Sequence, residues 1–232
     1  MPDPGVNSRA LHYDNLLGID KMKRKKPVIL FSVILLFSAL TLYNCTTGVT
    51  DSPDHGIVRI MFTSDPADTI LIERSDTFSV TTRYDAIFML KVFQGRIYRD
   101  SDFAVLYPTI DSYRQEDQFV NIIALDSTGN YRNYNVFESY IPPGNYNSLE
   151  FGVTPASGIP LRIVANSGKT FENPVELPPG ESLLYHFDQD FSVSENRVTQ
   201  IDVQISPFKS VKRYRDVYRL YRVMEITGVH NY

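Results

Sequence analysis

The feature that most constrains this chain is an alternation of apolar and polar residues, with a period of two, recurring from Gly56 almost to the last residue. In residues 198–207, VTQIDVQISP, Ile201, Val203 and Ile205 alternate with Asp202 and Gln204. A strand sends successive side chains to opposite faces, so this pattern predicts one dry and one wet face. Residues 145–154 read the same way, with Leu149, Phe151 and Val153 on one face and Ser148 and Glu150 on the other. Further strands are expected at 56–63, 69–74, 118–126, 160–165 and 181–188. Residues 86–98, AIFMLKVFQGRIY, are apolar on both faces until Gly95, as in a central strand or in two strands joined by a tight turn.

Between these segments lie turn clusters: DSTGN, PPGN, SGK and PPGE. Many short strands with no convincing long amphipathic helix predict an all-β sandwich or barrel. Ile141-Pro142-Pro143-Gly144 and Leu177-Pro178-Pro179-Gly180 repeat one motif. Proline presets φ for the first central turn position and glycine supplies the positive φ of a type II turn, so both copies are expected to use one turn design. Residues 107–116, YPTIDSYRQE, read as a loop carrying a helical turn. Residues 210–226 fit a helix with Tyr214, Val217, Tyr218 and Tyr221 on one side, or a closing strand from about Asp216. The β-branched and aromatic content favours the strand.

The N-terminal part follows different rules. Lys23, Arg24, Lys25 and Lys26 precede an uncharged run, PVILFSVILLFSALTLY, at 27–43. A basic cluster followed by an apolar segment is the order of an export signal. The run sits at the lower limit of about 17 residues for a spanning helix, which leaves a single-pass anchor as the alternative. It ends at Leu42-Tyr43-Asn44-Cys45, which resembles a bacterial lipobox, where a signal peptidase cuts before a diacylglyceryl-modified cysteine. Leu42 fits that pattern; Tyr43 and Asn44 depart from its small residues. The expected organisation is a leader at 1–21, with Met22 as a candidate true start, a lipoprotein signal peptide at 22–44, a flexible tether at 45–55 and one domain at 56–232.

Cys45 is the sole cysteine, so its acylation would leave no thiol for a disulfide. The domain must rest on its apolar core, which 15 Tyr and 14 Phe help to supply. The formal charge of −4 becomes more negative once the basic signal is removed, which gives no support to nucleic-acid binding.

The succession GIVRIMFTSDPAD, FVNIIALDSTGN, IPPGNYNSLEFGV and LPPGESLLYHFDQDFSV resembles an exported bacterial lipoprotein domain of unknown function. That family has an Asp-Pro turn after an early strand, a glycine-containing turn, a hairpin entered through "lp.GtY" and a late "FD...S" strand. The resemblance spans residues 56–226 and implies a β-sandwich of transthyretin- or immunoglobulin-like kind. It brings no catalytic residues.

The polar clusters have both bland and functional readings. Asp188 and Asp190, with Glu195 nearby, offer oxygens to calcium, but calcium takes six to eight ligands and a solvated acidic turn is the simpler account. Asp51, Asp54 and His55 match neither zinc nor calcium spacing. His186 is placed on the strand face opposite Leu183, Tyr185 and Phe187, towards solvent. No G-x-S-x-G, H-E-x-x-H or cysteine–histidine arrangement is present, which argues against an enzyme, and no cofactor is called for. Residues 209–222, KSVKRYRDVYRLYR, include Lys212, Arg213 and Arg215. RNA is a poor partner for an exported chain, so the strip is either a surface for anionic headgroups or acidic glycans, or an edge strand protected by charge. Tyr131, Tyr134 and Tyr146 sit in asparagine-rich turns, which serve as ordinary hairpin turns or as recognition loops.

These observations predict an all-β protein, an antiparallel β-sandwich preceded by a hydrophobic signal helix. It is expected in the cell envelope, on the outer membrane of a two-membrane bacterium, held by acyl chains on Cys45. Its expected role is binding or structural, towards envelope glycan, lipid headgroup or protein. A calcium-dependent carbohydrate module or hydrolase built on Asp188 and Asp190 is the competing reading.

Overall fold

The alternation becomes strand almost wherever it is strong. The computed structural model describes residues 54–109 and 117–232. The expected leader, signal helix and tether up to residue 53, with Leu42, Tyr43, Asn44, Cys45 and Asp51, lie outside the described residues. So does the 110–116 part of the stretch read as a loop with a helical turn.

β1 (Gly56–Ser64) is followed by a hairpin of β2 (Ile70–Glu73) and β3 (Asp76–Ser79). Next come β4 (Met89–Arg99), β5 (Asp102–Leu106), β6 (Asp117–Asn121), β7 (Tyr134–Ile141) and β8 (Gly144–Pro155). A second hairpin, β9 (Leu161–Val164) and β10 (Thr170–Asn173), leads to the short β11 (Val175–Glu176) and the long β12 (Leu184–Val193). β13 (Val198–Ile205), β14 (Val211–Tyr214), β15 (Val217–Leu220) and β16 (Met224–Asn231) complete the described residues, which contain no helix. The fold is all-β.

Two larger sheets organise it. One runs β16-β13-β1-β7; the other runs β12-β8-β4-β5, with β6 pairing the remaining length of β4. Their inner faces meet at phenylalanines. Phe62 and Phe137 from the first sheet lie 6.4 and 5.8 Å from Phe151 of the second, and Phe187 stacks on Phe151 at 5.5 Å. All four rings are buried, and such ring pairs stabilise beyond their buried area.

Pairing departs from the purely antiparallel expectation in two places. β1 and β13 are parallel, from Ile57↔Val198 to Ser64↔Ile205, and β11 and β15 form a short parallel pair. The cause is the route of the chain. It crosses to β12 in the other sheet before entering β13, and so arrives at the end where β1 began. At the far end Asp65 and Asp68 bind the two exits together. The Asp68 N–H donates to the Asp65 carbonyl across Pro66, at 3.2 Å. Asp68 Oδ2 then accepts the amides of Phe208 (2.7 Å) and Lys209 (3.0 Å), while its buried Oδ1 has no partner.

Several boundaries also differ from the expectation. The strand read at 181–188 begins at Leu184, because Pro178-Pro179-Gly180-Glu181 is a type II turn. The Glu181 N–H donates to the Pro178 carbonyl at 3.1 Å, with Gly180 at φ 80. Only this copy of the repeated motif is such a turn. The first copy carries the chain from β7 in one sheet to β8 in the other, with Gly144 at φ 149. The strand read at 118–126 stops at Asn121, whose amide side chain accepts from Phe88 N and donates to Ala86 O, both at 2.9 Å, in place of a neighbouring strand. Residues 86–98 contain one strand, β4, with a bulge at Gln94. Residues 210–226 form neither a helix nor one closing strand. They make the β14–β15 hairpin, turning at Arg215 (φ 54), and then enter β16.

Two outcomes are expected. Phe151→Ala should lower unfolding free energy by about 3–5 kcal/mol in urea titrations, since it empties the point where four rings meet. Burial pushes the Asp68 carboxyl above its ordinary value of 3.8, against the pull of the two amides. The folded state therefore holds that proton more tightly than the unfolded state, and the contribution is lost as pH rises from about 3.8 through the raised value. Asp68→Asn should gain on the native protein over that interval, and a pH-independent difference in urea midpoints would refute the assignment.

Candidate functional site

The basic terminal strip is largely neutralised by its own surroundings. Arg213 lies 3.0 Å from Glu73, and Arg219 lies 2.9 Å from Glu176. Glu73 also takes Lys169 at 2.6 Å, and the Lys169 ammonium sits over the rings of Phe78 (4.3 Å) and Phe171 (4.8 Å). This group ties β14 to the β2–β3 and β9–β10 hairpins. Burial draws the Glu73 carboxyl upward, but the hydrogen bond and charge of Lys169, with Arg213 and Arg74, outweigh it and hold the group below its ordinary range. Lys212 lies over Tyr221 at 4.8 Å, and Arg215 over the exposed Tyr214 at 5.5 Å. Two cations on tyrosine faces make a smaller electrostatic surface than six basic residues in sequence suggest.

The tyrosines read either as ordinary turn residues or as recognition contacts are placed differently from one another. Tyr146 is 5% exposed; it stacks on Phe191 at 5.6 Å, donates to the Pro142 carbonyl at 2.8 Å and is covered by Arg99. Tyr134 packs against the core and donates to the Asn121 carbonyl at 2.8 Å. Both rings are committed to packing at strand ends, and Tyr146 also borders a groove with Arg99 and Asn145. Tyr131 does line an open cleft of about 370 Å³, next to Asn130 and to Thr82, whose Oγ1 lies 2.7 Å from the Tyr131 hydroxyl.

Asp188, Gln189 and Asp190 do not form a loop after a strand. They lie within β12, where a bulge separates Asp188 from Phe191. Glu195 is in the turn beyond it, and Asp54 accepts a hydrogen bond from Asn196 at 2.9 Å, next to His55. Asp190 faces a groove shared with Arg99, Asn145 and Asn147, whereas Asp188 lies 3.1 Å from His186. Among the described residues no group of three or more His, Cys, Asp or Glu side chains is placed to hold a metal ion.

His186 does point outward, and it belongs to the surface that sequence reasoning missed. The outer face of the five-stranded sheet carries aromatic rings on three neighbouring strands. Tyr98 is opposite Phe103, Lys91 is opposite Phe119, and Phe93 is opposite Gly152. Gly152 is required there, since a Cβ would lie 2.5 Å from the Phe93 ring that spreads over it. Phe103 and Phe119 are 55% and 53% exposed. Between the rings run paired charges. Lys91 meets Asp117 at 2.6 Å, Arg96 lies 3.8 Å from Glu150, and the Tyr98 hydroxyl donates to Glu150 at 3.0 Å. Arg96 also covers the Phe103 ring at 5.1 Å. The outer face of the four-stranded sheet is different, with Arg59–Glu138, Gln200–Asp202 and Asp202–His230 contacts. The signal for the aromatic face was present in the two-sided apolarity of residues 86–98. That run is explained by burial on one side and by the half-buried rings of Phe93 and Tyr98 on the other.

Comparison of the chain with protein-family models, with curated proteins and with solved structures gives no match. The resemblance to an exported lipoprotein domain therefore rests on the quoted turns and strands.

Glu73→Gln should cost about 1–2 kcal/mol at neutral pH, a value reduced for the partial exposure of Lys169. The group's lowered pKa means its contribution is present above the ordinary value of 4.5 and lost as pH falls through the folded one. The gap between variant and native protein should therefore close in acid, as read from thermal unfolding at matched pH values.

Proposed function

We propose that this chain is a lipid-anchored protein of the bacterial cell envelope whose domain, a largely antiparallel β-sandwich, binds a partner and does not catalyse a reaction. The observation that carries the binding role is the aromatic outer face of the five-stranded sheet. Half-exposed Phe103 and Phe119 stand at two points along β4, with the partly covered Phe93 and Tyr98 between them, and an extended exposed apolar face marks an interaction surface. The sandwich reading is supported by two facing sheets joined through Phe62, Phe137, Phe151 and Phe187, and by connections that cross between them at Pro142-Pro143 and Ser194–Arg197.

The anchor is supported by the order of basic cluster, apolar run and Cys45, followed by a polar tether. Each buried methylene of an acyl chain contributes about 0.8 kcal/mol, so two or three chains hold a domain at the membrane without a spanning helix. Against a hydrolase stands the state of the polar side chains. Glu150, His186 and Asp188 lie against cations, a phenol or one another on an open sheet, and the one hydroxyl nucleophile opposite Asp188, that of Ser148, belongs to a buried residue, 7% exposed.

Metabolic labelling with a palmitate analogue tests the anchor. Label should enter the full chain and be lost in Cys45→Ala. Incorporation that survives the substitution, or an unlabelled chain that keeps its apolar segment and stays membrane-bound, would establish the single-pass alternative.

A further inference from the structure

We infer that the outer face of the five-stranded sheet is a platform for an uncharged glycan chain. The inference rests on the reading of this face as the binding surface and adds the class of ligand.

Three features select a neutral sugar polymer. First, the aromatic groups are spread over adjacent strands, on β4 (Phe93, Tyr98), β5 (Phe103) and β6 (Phe119). Phe103 lies opposite Tyr98 and Phe119 opposite Lys91, so the rings are dispersed along β4 over an open sheet and do not line one deep pocket. A pyranose ring presents an apolar C–H face with hydroxyls at its rim, so a chain of them stacks on separated rings with its hydroxyls between. Second, the cations between the rings are matched, Lys91 by Asp117 and Arg96 by Glu150, while the His186 ring lies against Asp188 and Glu150. With the imidazole uncharged, the acidic groups outnumber the basic ones, so the face has no surplus positive charge to attract an anionic headgroup or a uronic acid. Third, those pairs are open enough to accept new hydrogen bonds. The side chains of Lys91 and Arg96 keep about a third of their surface, and that of His186 keeps 48%. Sugar hydroxyls can replace the water on these groups, whereas a flat protein surface would strip it and leave them short of partners. The outer face of the other sheet has comparable ion pairs, but its exposed rings, such as Tyr140, are not set between them in the same way.

Glycan binding by the full chain in detergent would be measured by calorimetry against neutral gluco-, manno- and galacto-oligosaccharides, with oligouronates as the charged series. Saturable binding to at least one neutral series is expected, with little change between low and high salt. Phe103→Ala and Phe119→Ala, both at exposed positions, should each weaken it by about tenfold, the effect of losing roughly 1.4 kcal/mol of contact. Tyr140→Ala, an exposed residue on the other sheet, should leave it unchanged. Preference for oligouronates, or neutral binding indifferent to both phenylalanine variants, would overturn the inference. If no sugar binds, sedimentation of the same variants separates the two claims. Self-association or partner capture lost in Phe103→Ala keeps the binding surface and removes the glycan; no effect of either variant in any assay removes both.

Discussion

The contact on which the rest depends is the meeting of Phe62 and Phe137 with Phe151 and Phe187. No described disulfide, metal or helix joins the two larger sheets, so their inner faces are held by apolar packing. Phe151 is the centre of that contact, because it touches a ring from β1, another from β7 and a third from β12. Removing any one sheet would expose these rings to water at a cost of several kcal/mol, so the sheets stand or fall together. The hairpins are attached more peripherally, through charged groups such as Glu73 with Lys169 and Arg213.

Period-two patterning is local information, and what it could reveal was local. Strands at β1, β8, β9 and β13 are legible because their inward residues, such as Val58, Ile60 and Phe62, alternate cleanly with polar ones. Their partners are not legible. Nothing in VTQIDVQISP says that it lies parallel to β1; that arises from the detour through β12, which only the whole topology shows. Turn chemistry was equally double-edged. The same Pro-Pro-Gly sequence makes a type II turn at Gly180 and a passage between sheets at Gly144, since the strand that starts at Gly144 pairs with β12 and β4 and not with β7. Strands β5, β7 and β16 were missed because their alternation is broken by aromatic residues on the outward side, such as Phe103 and Tyr140, or by a bulge.

Candidate residues fared according to how far each side chain reaches. Tyr146 and Tyr134 looked like loop contacts because they are flanked by asparagine, yet a tyrosine at a strand end can turn its ring back over the core, and both do. Arg213 looked like part of a basic surface, and Glu73, distant in sequence, absorbs its charge. The outward aromatic face escaped notice for the converse reason. Lys91, Phe93, Tyr98, Phe103 and Phe119 lie in three separate segments, and only their pairing with β4 brings them onto one plane. A run apolar on both sides had two physical explanations, burial by a layer on each face or use of one face, and β4 shows the second.

The parallel pairing of β1 with β13 has a consequence for the history of each molecule. β1 is flanked by β7 and β13, so the first strand of the domain stays incomplete until nearly all of the chain is present. Contacts this distant in sequence close slowly, since the loop between them must be ordered first. A chain of this design remains open through most of its synthesis. If the chain is threaded across a membrane as proposed, that delay is useful: β1 can pair with β7 but cannot complete its place in the sheet before the last strands have come through behind it.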